Sequence, residues 1–432
     1  MTAVIGLLNK LGVALAADSA ATITHGDKRK YTKNESKLIR MSNALPISVM
    51  TTGNGEFIRN PWDVVIRQYR RERGDIKHST VEDCVHDFFD YISKNNIFWD
   101  EEYINSWVKE ELEKIFDFVN ENIENQKCLR KIDTSYNYLK TFLEELNKWK
   151  TDILSSDISP QFKDYTLERF VEYAEPVITD YFNDAAEAEE LKSYTEDPIK
   201  FLKSVRSLVE QTLMASLTTR SERNGCAELV FSGYGEEQEY PSLVSAIVYE
   251  GFDQKVNYHI RPEDIICIND ERPVAFCPFA QADVTKSIIK GVHRSWGKHL
   301  LKYIMGKYKD AVLEIFSQKC ENPDLEFMNK LDEVKFDDLI DQYWNAINQS
   351  LNENQQEWEK TLEQYDLKSM AALAESLIDL TGFQRILTFQ EEGVGGPVDV
   401  AVITKNDGFK WLSRKSWYHH KNVNGMYGSL GI

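Results

Sequence analysis

No apolar run in this 432-residue sequence approaches the roughly 18 residues that a membrane span needs. Cysteine is scarce and scattered. Cys84, Cys128, Cys226, Cys267, Cys277 and Cys320 show no paired spacing, which excludes a disulfide frame and reads as small hydrophobes kept in a reducing compartment. Of the eight histidines only His419-His420 and Cys84-x-His86 are close groupings, and neither has the second half of a structural zinc site. Basic residues fall short of acidic ones, 51 against 70, and the resulting net charge of −19 excludes a chain built to grip nucleic-acid phosphates. Ser232-Gly233-Tyr234-Gly235 lacks the Lys-Ser/Thr ending and following helix of a phosphate loop, so it reads as a bend at a strand end. Internal repeats and low-complexity tracts are absent. The first residues lack a signal-peptide layout, since Lys10 interrupts the apolar stretch and Asp18 stands where small neutral residues would be needed. These absences lead us to expect a cytoplasmic protein with no cofactor, no metal, no nucleic acid and no membrane partner.

What is present begins at once. Thr2 to Leu8 is apolar, Asn9-Lys10-Leu11-Gly12 is a turn, and Gly12 to Ala17 returns, which is a hairpin pattern. After a polar loop around Gly26-Asp27, residues 37–41 and 46–50 predict two more strands, closed by Thr51-Thr52-Gly53-Asn54-Gly55. From Pro61 the period becomes helical, and between about Phe98 and Met214 the chain is charged, aromatic-rich and poor in glycine. There Tyr103, Trp107, Leu112, Ile115, Phe116 and Val119 fall mostly on one stripe, the spacing of a helix-bundle core. Strand signals return at residues 227–231, 242–249, 255–260 and 273–276. Helical patterns follow over about 282–316 and on to Tyr365, then a helix over 368–383. Two final strands, 398–404 and 409–412, flank Asn406-Asp407-Gly408, a hairpin signal. The expected organisation is a sheet-rich core in three blocks, 1–97, 221–316 and 368–412, broken by helical insertions at 98–220 and 317–367 and followed by a loosely ordered tail at 413–432.

Thr2 carries the chemistry. Removal of Met1, which a small second residue favours, leaves a hydroxyl and an α-amine on one residue. An α-amine with a pKa of about 7.7–8.0 can accept the hydroxyl proton near neutral pH. Such a pair needs a nearby cation to limit protonation of the amine, supplied by Lys37 or Lys33, and an acid to hold that cation, for which Asp18 is placed at the end of an otherwise apolar strand. Backbone N–H groups in the turn at Thr52 and Gly53 suit a developing oxyanion.

Thr2, "GVALAADSAAT", "KLIRM" and "ISVMTTGNG", with the late block "GVGGPVDVAVITKNDGFKWL", resemble the proteasome β-subunit and HslV group of N-terminal-nucleophile (Ntn) hydrolases. Asp18 stands sixteen residues after Thr2, the family's spacing, and Lys37 opens its strand as the family's lysine does, after a longer loop. The resemblance implies an α+β fold, a four-layer αββα sandwich, with Thr2, Asp18, Lys37, Thr52 and Gly53 as catalytic residues. It implies a threonine-type peptidase or amidohydrolase acting on a polypeptide or amide substrate, self-association as a homo-oligomer, and a separate ATPase or unfoldase as partner. The family's supporting residues depart here. Glu391 and Val394 stand where an aspartate and a serine are usual, a bracing serine is replaced within Cys277-Pro278-Phe279, and Ala20 stands where an arginine is common. The alternative is therefore a catalytically inactive proteasome-like scaffold whose helical insertions bind a protein partner.

Overall fold

The computed structural model describes residues 2–25, 28–32, 36–130, 138–219, 225–290, 297, 299–308, 310, 336–387 and 395–415. Along the chain, strands β1 (Ala3–Asn9), β2 (Gly12–Ala17), β3 (Ala21–His25), β4 (Lys28–Thr32), β5 (Leu38–Arg40), β6 (Ile47–Gly53), β7 (Glu56–Phe57) and β8 (Asn60–Pro61) come first. Helices α1 (Trp62–Arg73), α2 (Val81–Lys94), α3 (Glu101–Arg130), α4 (Tyr138–Leu154), α5 (Leu167–Glu187), α6 (Glu189–Tyr194) and α7 (Pro198–Thr218) follow. Then come β9 (Ala227–Gly233), β10 (Ser242–Val248), β11 (Tyr258–His259), β12 (Ile265–Cys267) and β13 (Val274–Ala280). Helices α8 (Ala282–Lys290), α9 (Phe336–Gln364) and α10 (Leu367–Leu387) lead to the closing hairpin β14 (Asp399–Thr404) and β15 (Gly408–Ser413). The fold is α+β with antiparallel pairing throughout the registers described.

The chain divides into two compact units, Met1–Leu38 with Gln238–Ser242 and Cys267–Ile432, and Ile39–Glu237 with Leu243–Ile266. In the first unit the sheet order is β13-β1-β2-β14-β15. Asn9 ties the turn of its central hairpin: the side-chain oxygen accepts from Leu11 N at 2.9 Å, while Nδ2 donates to Leu362 O and Tyr365 O at 3.1 and 2.9 Å. Alanines at 14 and 16 leave room for α10, whose Met370, Ala374 and Leu377 pack with Ile5, Leu7 and Val400. Small residues on both partners bring helix and sheet close.

In the second unit the sheet order is β11-β10-β9-β6-β5, and β12 pairs with β10. Thr80 opens α2 with a capping box, accepting from Asp83 N at 3.1 Å while Asp83 accepts from Thr80 N at 3.0 Å. Phe88 and Phe89 of α2 pack edge-on against Phe231 of β9. Helices α3–α7 bury Phe116, Phe142, Phe170, Val209 and Leu213 in the same apolar cluster, and Tyr138 stacks on Tyr194 and Phe201 with ring centroids 4.8 and 5.1 Å away.

Three sequence expectations need correction. The polar loop at Gly26-Asp27 is flanked by paired strands, β3 and β4, that the composition did not suggest. The strand expected over 255–260 shrinks to Tyr258–His259 because Phe252 and Lys255 close a tight turn just before it. The tail expected from Ser413 begins with an anchored residue: Lys415 is 9% exposed. The remainder of that segment lies outside the described residues. Among the described residues no helix is long and apolar enough to cross a membrane.

Candidate active site

Asp18 is the first residue beyond β2, and the hairpin register carries it back to the start of β1. Its backbone N donates to Ala3 O at 3.1 Å, and Ala3 N donates to Asp18 Oδ1 at 3.0 Å. The carboxylate is thereby fixed one residue from Thr2. Lys37, just before β5, donates from Nζ to the same Oδ1 at 2.8 Å and also to Ala20 O. The Lys37 and Asp18 side chains are 3% and 0% exposed. A buried ion pair is tolerated only when its remaining hydrogen-bonding capacity is met, and here Oδ2 accepts from Ala20 N at 3.2 Å and Gly395 N at 3.1 Å. Ala20 thus contributes through its backbone.

Gly395 belongs to the Gly-Gly turn before β14. Its carbonyl also accepts from Ser19 N at 3.2 Å, so the Asp18-Ser19 corner and this turn hold each other by one backbone–backbone bond and one from Gly395 N to the Asp18 carboxylate. Ser19 Oγ donates to Pro397 O at 2.5 Å and accepts from Lys415 Nζ at 3.0 Å. Lys415 in turn pairs with Asp399 at 3.3 Å, and its backbone N donates to the other oxygen of that carboxylate at 2.9 Å. A second buried ion pair, with side chains 4% and 3% exposed, therefore stands behind the first.

Thr2 is 9% exposed, and its carbonyl accepts from Gln281 N at 3.3 Å. The structure thus brings Thr2, Asp18 and Lys37 together within the first unit. Thr52 and Gly53 belong to the second unit, where they end β6 opposite Glu228 and Ala227. Gly53 has φ of +81°, and a Cβ there would lie 2.3 Å from Cys226 O, so only glycine fits. Lys33, Glu391 and Val394 lie outside the described residues.

Cys277-Pro278-Phe279, read as the turn with a replaced serine, is instead the middle of β13, paired with Gly6, Ile5 and Val4. The turn ahead of the helix is Ala280-Gln281. Burial pushes the Cys277 and Cys84 thiols up to about 12, so both stay protonated and neither competes as a nucleophile. Among the described residues no cluster of three or more His, Cys, Asp or Glu is gathered to hold a metal. Sequence reasoning missed Asp399, Lys415, Gln281 and Arg385. Asp399 gave the same signal as Asp18, a lone acid in an apolar strand.

No family model matches this chain, and no curated protein matches it. Among solved structures it is similar to Anbu from Hyphomicrobium sp. strain MC1 and to a Gly-1 mutant of that protein. Each match is at 9% identity over 96% of this chain and 86% of the other, with a TM-score of 0.28. A superposition that poor informs neither the fold nor the site.

Proposed function

We propose that the protein is a proteasome-like N-terminal threonine hydrolase that cleaves peptide or other amide bonds through an acyl-enzyme on Thr2, once Met1 is removed. The observation that carries this reading is one carboxylate oxygen, Asp18 Oδ1, held by both Ala3 N and Lys37 Nζ in a buried setting beside Thr2. In the proposed reaction Thr2 Oγ1 attacks the carbonyl carbon and its own α-amine takes the hydroxyl proton. The Lys37 charge lowers the proton affinity of that amine, and Asp18 keeps the charge in place. As the C–N bond breaks, the proton passes to the leaving amine, and water then hydrolyses the ester to return Thr2.

A backbone N–H at Thr52 or Gly53 keeps, in this proposal, the role of oxyanion donor. The four-layer αββα arrangement belongs to the same proposal. What supports it is that, within each unit, a sheet carries helices packed on one face. Self-association and a separate ATPase partner extend the proposal, and sedimentation at micromolar concentration tests the first.

The deciding experiment is intact mass of the purified protein before and after an electrophile selective for N-terminal threonine, with Thr2→Ala as control. Loss of methionine and one adduct, absent from the control, is the expected result. Retained Met1 with no adduct would sink the enzyme reading in favour of a scaffold whose helical insertions bind a partner.

A further inference from the structure

The turn that meets Thr2 contains a side chain to which the reaction above gives no task. Strand β13 ends opposite β1 with Ala280 against Ala3, and Ala280 takes φ of +56°, a left-handed conformation that a non-glycine residue adopts at a cost. That bend delivers Gln281, whose backbone N–H holds Thr2 O. The Gln281 carboxamide is oriented by Arg385 of α10, which donates from Nε to Oε1 and from Nη2 to Asp283 Oδ1 at 2.6 Å. A guanidinium has donors only, so the amide oxygen must face it and the NH2 group must face away. Arg385 is itself 7% exposed, so this orientation is set from the interior. Gln281 Nε2 is buried and finds no acceptor among the described residues. Buried donors are nearly always satisfied, and here a strained Ala280 precedes a residue, Gln281, that combines a dedicated cation, an orphaned donor and a backbone contact with Thr2.

We infer that Gln281 Nε2 is a substrate-binding donor of the Thr2 site, and that its acceptor is a backbone carbonyl oxygen on the acyl side of a peptide-type substrate. A neutral NH2 group suits a neutral carbonyl, and the adjacent Arg385 charge is already matched by Asp283. This inference rests on the Thr2 reading and adds the chemistry of what the site takes.

Gln281→Glu is the sharpest variant. It keeps an oxygen toward Arg385, so the fold is retained, but replaces both N–H donors with a lone pair. The test uses an acetylated tripeptide aldehyde, rich in carbonyl acceptors, and a small sulfonyl fluoride that has none. With wild type, both reagents should block Thr2, as read by intact mass. With Gln281→Glu the aldehyde should bind about ten to a hundred times more weakly, and this loss should exceed that on the sulfonyl fluoride at least tenfold. It should shrink as the pH is lowered, because the introduced carboxyl regains a donor once protonated. Gln281→Leu, checked by its melting temperature, should lose the same aldehyde affinity with no recovery at low pH. Unchanged aldehyde affinity in both variants, or equal losses on the two reagents, would overturn the assignment while leaving the Thr2 nucleophile standing. No adduct on wild type with either reagent would overturn both.

Discussion

The two units bury different things. The second fills its interior with rings, Phe88, Phe89, Phe142, Phe162, Phe170 and Phe252 among them, each under 2% exposed. The first packs aliphatic side chains between sheet and α10, and also encloses two ion pairs, Asp18 with Lys37 and Asp399 with Lys415. Aromatic burial stabilises directly, whereas a buried ion pair roughly breaks even against an apolar replacement of the same shape. Stability alone would not select the first unit's interior. Placement does, because four hydrogen bonds converge on Asp18 and fix it beside Thr2.

The largest test of that contrast is Asp18→Ala. It leaves Lys37 buried without its counter-ion, and we expect a loss of about 3–5 kcal/mol in urea unfolding together with loss of the Thr2 adduct. The double change Asp18→Leu with Lys37→Met should recover most of the stability and none of the reactivity. Recovery of neither would mean that the pair holds the fold itself. Phe142→Ala in the second unit should cost about 3 kcal/mol or more through the cavity it opens, yet leave the adduct rate of the folded protein unchanged. A drop in that rate would show the units to be coupled, contrary to this division of labour.

A finer version concerns the pair behind the first. Asp399→Leu with Lys415→Met removes both charges at once, so stability should stay within about 1 kcal/mol of wild type. If the pair serves to seat Ser19 and hence the Asp18 corner, the Thr2 adduct rate should still fall, by up to about a hundredfold for a displacement near 1 Å. An unchanged rate would make Lys415 a structural anchor only.

How far this division could be read beforehand depended on the range of the interaction. The β1–β2 hairpin announces itself through Asn9-Lys10-Leu11-Gly12, the last hairpin through Asp407-Gly408, and the helical segment through its 3.6-residue stripe. Each is a local signal, carried by neighbours in the chain. Asp18 and Lys37 were legible because their spacing from Thr2 resembles a known pattern. Asp399, Lys415, Gln281 and Arg385 were not, since Lys415 meets Ser19 across 396 positions and Arg385 meets Gln281 across 104. No periodicity encodes contacts of that range. The hairpin β3–β4 escaped because β4, Lys-Arg-Lys-Tyr-Thr, carries a basic run and β3 alternates only through Ala21 and Ile23, although the two strands pair over five residues each.

The smallest effect tests the contrast from the other side, because the second unit pairs its most buried acids, Glu111, Glu145 and Glu210, with Lys114, Lys148 and Arg206, but holds a half-buried one differently. Glu250 accepts from Ile58 N at 3.3 Å and Tyr103 Oη at 3.2 Å but pairs with no cation among the described residues. Burial pushes its carboxyl above the usual range, with those two hydrogen bonds and the repulsion of Glu56 acting as lesser influences in opposite directions. A folded-state pKa above the unfolded value means that ionised Glu250 destabilises the protein at neutral pH. That penalty fades as the pH falls through the folded pKa toward the unfolded value of about 4.3. Asp87 has the opposite sign. Burial raises its carboxyl, but the hydrogen bonds from Arg73 and Tyr69 outweigh this and hold it low, so its contribution is lost only as the pH falls below the ordinary aspartate range. Glu250→Gln should therefore raise the urea midpoint at pH 7.5, with the gain shrinking to nothing near pH 4. A gain equal at both pH values would mean that Glu250 is solvated when folded. The second unit would then have no uncompensated charge in its interior, and the difference between the two units would be one of chemistry alone.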